Sequence, residues 1–363
     1  MEKIGNVEDL PSVEEVILGV DTHLELHVAV ALDQLGRRLG ETTVPTSTRG
    51  YARLLRWAEG FGTVGCVGIE GTSSYGVGLV RYLQCAEIPV VEVERPKRRH
   101  LGRNGKSDSI DAEAAARAVL AGEAAGEPKS GDGQVGMIRT LRSARQSAVK
   151  ARSQAANQLQ AMLVTAPEEL RHSLRKLPTK ALVATCARFR PLKEPVDVGT
   201  ATKIALRSVA RRHEALSEEI AQLDERLDRL VARTSPGLIS LPAIGTHHAA
   251  TLLCVAGDNP QRLASEASFA SLCGVSPIEA SSGKVVRPRL NRGGNRDANR
   301  ALHMICVVRM GSDRRTREYV ARRTAEGKSK WEIMRCLKRY IAREVYRVMA
   351  PATSASSPTG NDL

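Results

Sequence analysis

Four acidic residues stand where a metal-assisted phosphoryl transfer would use them. Asp108 and Asp111 lie in Lys106-Ser107-Asp108-Ser109-Ile110-Asp111-Ala112, which opens an alanine-rich run to Ala121 that reads as a helix. At about 3.6 residues per turn, both project from one face near the first turn. Carboxylates also suit the positive end of a helix, and Ser107 or Asp108 could simply cap it. The company they keep shifts the balance. Asp21 closes the apolar run Val16-Ile17-Leu18-Gly19-Val20, and Glu70 closes Val64-Gly65-Cys66-Val67-Gly68-Ile69. Carboxylates delivered by two strands and a helix meet in space only around a shared cation, usually a pair of Mg²⁺ ions, so Mg²⁺ or Mn²⁺ is the expected cofactor.

The elements that must position these residues follow from periodicity. Val16 to Asp21 reads as a strand, His27 to Leu32 as a second and Gly40 to Pro45 as a third. Thr48 to Gly60 has helical spacing, Val64 to Glu70 is a strand, Val77 to Ala86 a helix and Pro89 to Val93 a strand. A basic loop with Lys97, Arg98 and Arg99, then Lys106, leads into the Asp108/Asp111 helix. This order is that of a ribonuclease-H-like (Holliday-junction-resolvase-like) α/β domain, whose nucleases use an Asp on the first strand, a Glu on the fourth and helix-borne Asp residues. The domain is expected over 15–130, after a loose stretch at 1–14.

From 131 to 234 the pattern is helical. Ile138 to Val164 carries Arg139, Arg142, Arg145, Lys150 and Arg152 with no acid among them, a face suited to tracking phosphates. In Ile204 to Val231 the residues Leu206, Val209, His213, Leu216, Ile220, Leu223, Leu227 and Leu230 alternate steps of three and four, the seam of a coiled coil. The two helices could pair as an antiparallel hairpin within a subunit or between subunits. His213 is most simply a register residue of that seam. A mainly α domain is expected over 235–349, with a disordered tail at 350–363. Leu241-Pro242-Ala243-Ile244-Gly245 ahead of a small-residue helix is either an ordinary helix connection or similar to a helix-hairpin-helix element, which can hold a phosphate on backbone amides.

Charge divides the chain. The 363 residues carry a formal net charge of +14, and Lys284 to Met349 holds 19 Lys+Arg against 6 Asp+Glu. The polyanion-binding footprint is therefore C-terminal, with DNA or RNA as the expected partner, and the carboxylate set is N-terminal. Ser281-Ser282-Gly283 precedes Lys284, Arg287, Arg289, Arg292, Arg296 and Arg300, a hydroxyl ahead of six cations that can clamp phosphoryl oxygens. Aromatic residues make up 3% of the chain, which fits recognition of duplex shape and backbone rather than stacking on many rings. The seven cysteines show no CxxC or CxxH spacing and read as free thiols of a cytoplasmic protein. No apolar run approaches the ~20 residues of a membrane span, and no signal-peptide h-region is expected.

Val20-Asp21-Thr22-His23, Ile69-Glu70-Gly71-Thr72 and Lys106 to Ala112 resemble the DEDD set of a bacterial insertion-sequence transposase family. That family joins a resolvase-like N-terminal domain to a separate C-terminal transposase domain. In the second half Leu241 to Gly245, Phe269 to Pro277, Ser281-Ser282-Gly283 and the Asn295-Arg296…Asn299-Arg300-Ala301-Leu302 run fall in the family's order. The resemblance covers roughly Val16 to Met349, and the ordered set is far more specific than any one motif. It implies DNA recombination, with Mg²⁺ held by Asp21, Glu70, Asp108 and Asp111. It also implies Ser282 as the nucleophile (Ser281 being the less favoured neighbour), a covalent phosphoserine intermediate and guidance by a structured RNA from the element. Homo-oligomers, a dimer or a tetramer on DNA, would build the active site from one subunit's metal domain and another's serine domain. The sequence departs from the pattern at Lys284, where some members have small residues. Two rivals remain open: a Mg²⁺-dependent junction nuclease that hydrolyses with water, and a non-catalytic nucleic-acid-binding assembly protein.

Overall fold

The computed structural model describes residues 15–93, 107–124, 126–131, 133–279, 288–291 and 293–349. It divides into two compact units, 1–131 and 132–363.

The first unit is a five-stranded mixed sheet. The strands β1 (Glu15–Thr22), β2 (Leu26–Leu32), β3 (Arg38–Pro45), β4 (Thr63–Glu70) and β5 (Val90–Val93) lie in the order β3-β2-β1-β4-β5. β1 pairs antiparallel with β2 and parallel with β4, and β5 runs parallel to β4. This is the arrangement expected of a ribonuclease-H-like domain. The helices α1 (Thr48–Glu59) and α2 (Val77–Cys85) contribute Tyr51, Leu54, Leu55, Leu79, Val80 and Leu83 to one face, where Val16, Leu18, Val20, Val67 and Ile69 point. The helix α3 (Asp108–Leu120) covers the other face, packing Ala112 and Ala116 against Ile17, Val30 and Leu32.

Strand alternation explains where the acids go. Side chains two apart share a face. Ile17, Gly19 and Asp21 therefore look toward α3, as do Cys66, Gly68 and Glu70. The glycines lie under the helix and the acids just beyond it. A Cβ on Gly19 would sit 2.0 Å from the Ala112 carbonyl oxygen and 2.4 Å from the Ala116 nitrogen, and one on Gly68 would sit 2.6 Å from Val119 Cγ2. Glycine thus lets the α3 backbone lie close to the strands, and alanine on the helix side completes the fit. Exposed polar contacts add direction. Ser109 Oγ donates to Glu41 at 2.7 Å and accepts from Arg38 at 3.0 Å, tying the head of α3 to β3. Gly19→Val is expected to destabilise this unit by about 3 kcal/mol, because overpacking meets backbone atoms that cannot rotate away. A fall in Tm of roughly 10 °C on thermal denaturation checks it. Strand propensity alone favours valine and gives the opposite sign.

The second unit is helical. The long helices α4 (Gln134–Val164) and α7 (Val198–Thr234) pack antiparallel within the chain: Gln134 meets Thr234, Arg145 meets Asp224 and Gln158 meets Arg212. Leu227 and Leu230 join a core with Val135 and Ile138 at one end of the pair. At the other end, Leu206 packs with Leu159 and Leu163, closed by α5 (Glu168–Leu174) and α6 (Thr179–Ala187).

Further helices surround a buried centre. A short α8 (Pro236–Ser240) and a turn with Ala243 at φ 59° lead into α9 (Thr246–Ala256), whose Ala249, Ala250, Leu252 and Leu253 are buried. Around it lie α10 (Glu266–Leu272), α11 (Arg296–Ser312), α12 (Arg314–Ala325) and α13 (Lys330–Met349). The short strands β6 (Ile278–Glu279) and β7 (Pro288–Arg289) pair antiparallel as the base of a hairpin. Among the described residues no helix is long and apolar enough to cross a membrane. None of the seven cysteines is in a disulfide; Cys85 is exposed, and Cys186, Cys273 and Cys306 are buried.

Candidate functional site

Three elements deliver the carboxylates to one edge of the sheet. β1 ends in Asp21-Thr22, and β4, its parallel neighbour, ends in Glu70. The Thr22 hydroxyl donates to the Glu70 carbonyl oxygen at 2.8 Å, which fixes the two strand ends together. α3 begins here. Its N-cap is Ser107, whose hydroxyl accepts from the Ile110 amide at 3.3 Å, so Asp108 is not needed as the cap.

His23 lies between the acids. Its Nε2 is 3.2 Å from Asp21 Oδ2 and 3.2 Å from Asp108 Oδ2. That nitrogen is buried, yet neither contact has hydrogen-bond alignment. One donor atom from each of Asp21, His23 and Asp108 falls within 4.8 Å of the others, a spacing that can hold a metal ion. Asp21 is itself only 7% exposed, in keeping with a carboxylate meant for an internal partner. A buried, unaligned imidazole nitrogen between two carboxylates fits a divalent cation. The oxygen donors suit Mg²⁺ or Mn²⁺, and the imidazole favours a transition ion.

The electrostatics include all four carboxylates. Burial raises the Asp21 carboxyl above its ordinary 3.8; His23 lowers it, and Glu70, Asp108 and Asp111 push it up in turn. Glu70 and Asp111 are therefore close enough to repel Asp21, and the cluster is strained without a cation. The sign for stability follows. A carboxyl whose folded pKa is raised holds its proton more tightly when folded, so its favourable contribution is present at low pH. That contribution is lost as pH rises from about 4 through the raised value. In chelator, wild-type protein is expected to lose more stability over that range than Asp21→Asn, as read by thermal denaturation against pH.

The basic residues divide into three groups. Arg142 pairs with Asp297 at 3.2 Å, and Arg145 is held by Asp224, with His247 Nε2 3.2 Å away. These two arginines thus have partners inside the chain, and Arg139, exposed on α4, is engaged as well. Arg289, Arg296 and Arg300 are exposed, the last lying 3.8 Å from Asp297. Lys97, Arg98, Arg99, Lys106, Ser281, Ser282, Lys284, Arg287 and Arg292 lie outside the described residues.

The flanks of the serine segment are described. β6 and β7 bring its two ends together, and the Asn295 amide donates to the Leu272 carbonyl at 2.6 Å. Asn299 Nδ2 donates to the carbonyls of Cys273 and Gly274, each at 3.0 Å. Asn295 also caps α11, accepting from Asp297 and Ala298, each at 3.0 Å. The two asparagines therefore tie the end of α10, from which the chain leads into β6, to α11. His23 is the site residue that sequence reasoning passed over; its signal was a histidine two residues after the strand-end Asp21.

Comparison with known proteins finds two matching segments, the first of which runs past residue 131 into α4. A family model described as Transposase, of the DEDD IS110 type, matches residues 18–166, which include Asp21, Glu70, Asp108 and Asp111. A second, described as Transposase IS116/IS110/IS902 family, matches residues 236–321, which include Ser282, Asn295 and Asn299. The chain is similar to the insertion element IS110 uncharacterized 43.6 kDa protein of Streptomyces coelicolor (strain ATCC BAA-471 / A3(2) / M145). The two are 30% identical over 171 residues, which is 46% of this chain and 42% of that relative. The chain thus spans under half the length of that curated relative in the match. Two transposase domains of the IS110 family type thus stand in order along the chain, over residues 18–166 and 236–321.

Proposed function

We propose that the protein cuts and rejoins DNA strands as the transposase of an insertion element. Asp21, Glu70, Asp108 and Asp111, joined by His23, hold Mg²⁺ or Mn²⁺, and Ser282 is the nucleophile. The observation that carries this reading is the convergence of Asp21, His23 and Asp108 within 4.8 Å at the edge where β1 and β4 end and α3 begins.

Bound there, a divalent ion supplies Lewis-acid polarisation of a phosphoryl oxygen and offsets charge in the transition state. The chain's own residues do the rest. The Ser282 hydroxyl gives up its proton and forms an ester to the scissile phosphorus, while the departing strand leaves as a free hydroxyl. Attack by another strand's hydroxyl reverses the step, so one phosphodiester replaces another and no outside energy source is needed. Exposed Arg289, Arg296 and Arg300, with Lys284, Arg287 and Arg292, steady the phosphate oxygens. A serine with no histidine beside it in sequence relies on other groups for activation, which supports an assembly that docks the serine hairpin on a carboxylate site. A homo-oligomer and a guide RNA from the element complete the proposal. The test is an in vitro reaction of the full chain with DNA carrying the element's ends and RNA transcribed from the element. Joined products that require a divalent ion are expected; nicked ends with no joining favour the hydrolytic nuclease.

A further inference from the structure

At the foot of the β6–β7 hairpin lies a cleft of about 830 Å³, walled by Gly274 to Pro277, Arg289 to Asn291 and the first half of α13. Seven cationic side chains and one carboxylate, Glu332, line it. Three of the cations are already engaged: Arg323 is paired with Glu326, and Arg339 and Arg343 with Glu266. Arg289, Lys328 and Arg335 are exposed, and none has a carboxylate within ion-pair distance among the described residues. Glu332 accepts from the Ser329 hydroxyl at 2.7 Å and amide at 3.0 Å, and Lys328 and Arg335 act on its charge from beyond ion-pair distance, so one carboxylate faces several cations. Lys338 sits half-buried in the wall, where its ammonium donates to Asn299 at 2.9 Å, the same asparagine that ties the end of α10 to α11. Such an excess of unpaired positive charge in a concavity calls for a polyanion.

The cleft also offers a ring. Tyr340 is 46% exposed and packs at 84° on Tyr319 with centroids 5.7 Å apart. Arg343 lies 5.9 Å from its centroid, so two neighbours hold the ring while nearly half of the residue stays exposed. The chain has few aromatics, which makes an exposed one inside a basic cleft informative. A duplex keeps its bases stacked inside and presents only phosphates. An unpaired strand presents both phosphate and base face, and the combination of a positive groove with an aromatic platform matches the second. The size lies within the range of about 300–1,000 Å³ typical of small-molecule sites, room for a short piece of strand.

We propose that this cleft seats an unpaired polynucleotide segment, its phosphates on Arg289, Lys328 and Arg335 and a base on Tyr340, beside the serine hairpin. This deepens the strand-exchange reading by giving the unpaired strand a place. Binding is tested without catalysis, so the two stand or fall separately.

The experiment measures affinity of the full chain, in chelator, for a labelled mixed-sequence single-stranded DNA, the RNA of the same sequence and the DNA duplex, against salt. At least one single strand is expected to bind, and the sugar bound more tightly names the source of the segment. Tyr340→Ala is expected to weaken that single strand about tenfold and the duplex less than about twofold, with Tyr340→Phe close to wild type. Should Tyr340→Ala lose its fold, the Lys328→Gln/Arg335→Gln pair on exposed positions carries the test. It is expected to flatten the single-strand salt slope by about 1.4, two phosphate contacts' worth. Absence of single-strand binding, or equal losses on single strand and duplex in both variants, overturns the assignment.

Discussion

Replacing Asp21 with asparagine is expected to remove divalent-ion binding and strand cleavage together. The wild-type N-terminal unit, with the ion at about 100 times its Kd, should gain about 2.7 kcal/mol. For a unit of this size that is a Tm increase of roughly 10 °C. The variant should show no such gain, and cleavage should fall by on the order of 10³. Without the ion the order reverses. Burial disfavours the Asp21 charge, His23 favours it, and Glu70, Asp108 and Asp111 repel it; the balance is against the charge, so the variant should melt no lower than wild type in chelator. A plain loss of structure lowers both melts, which separates it from loss of a ligand. Differential scanning calorimetry with and without Mn²⁺, beside a cleavage assay, reads all four quantities.

Ser282→Ala is expected to abolish a covalent protein–DNA adduct that wild type forms only with divalent ion. Loss of a serine nucleophile costs on the order of 10⁶ in rate in a well-studied serine enzyme, so no labelled strand should remain on the variant after denaturation. Ser281→Ala should keep the adduct. The reverse pattern assigns the chemistry to Ser281, and an adduct-free wild type that still cuts DNA assigns it to water. Because β6 pairs with β7, and Asn295 and Asn299 tie the end of α10 to α11, either substitution leaves these contacts intact.

Much of the first unit is legible in the chain because its strands are continuous apolar runs closed by an acid. Strand alternation then sets Asp21 beside Gly19, and Glu70 beside Gly68, on one face. The closeness of α3 is not legible in the same way. It depends on Gly19 meeting Ala112 and Ala116, residues far away in sequence, and each glycine alone reads only as a weak strand residue. His23 was hidden for a similar reason: a single histidine after a strand is ordinary until Asp108, on another element, closes the other side. The apolar seam of α7 was readable as a repeat, but a repeat does not name its partner. Contacts such as Arg145 with Asp224 make that partner α4 of the same chain. The same contacts give Arg142 and Arg145 carboxylate neighbours that an acid-free helix sequence did not reveal.

The claim that these carboxylates hold the ion at which DNA is cut is tested most directly by anomalous scattering from crystals grown with Mn²⁺. A peak is expected within about 2.0–2.6 Å of oxygens from Asp21 and Asp108, with His23 Nε2 turned toward it. Ordered Mn²⁺ elsewhere, with Asp21 and Asp108 unliganded in protein that cleaves DNA in the same Mn²⁺ buffer, would contradict it.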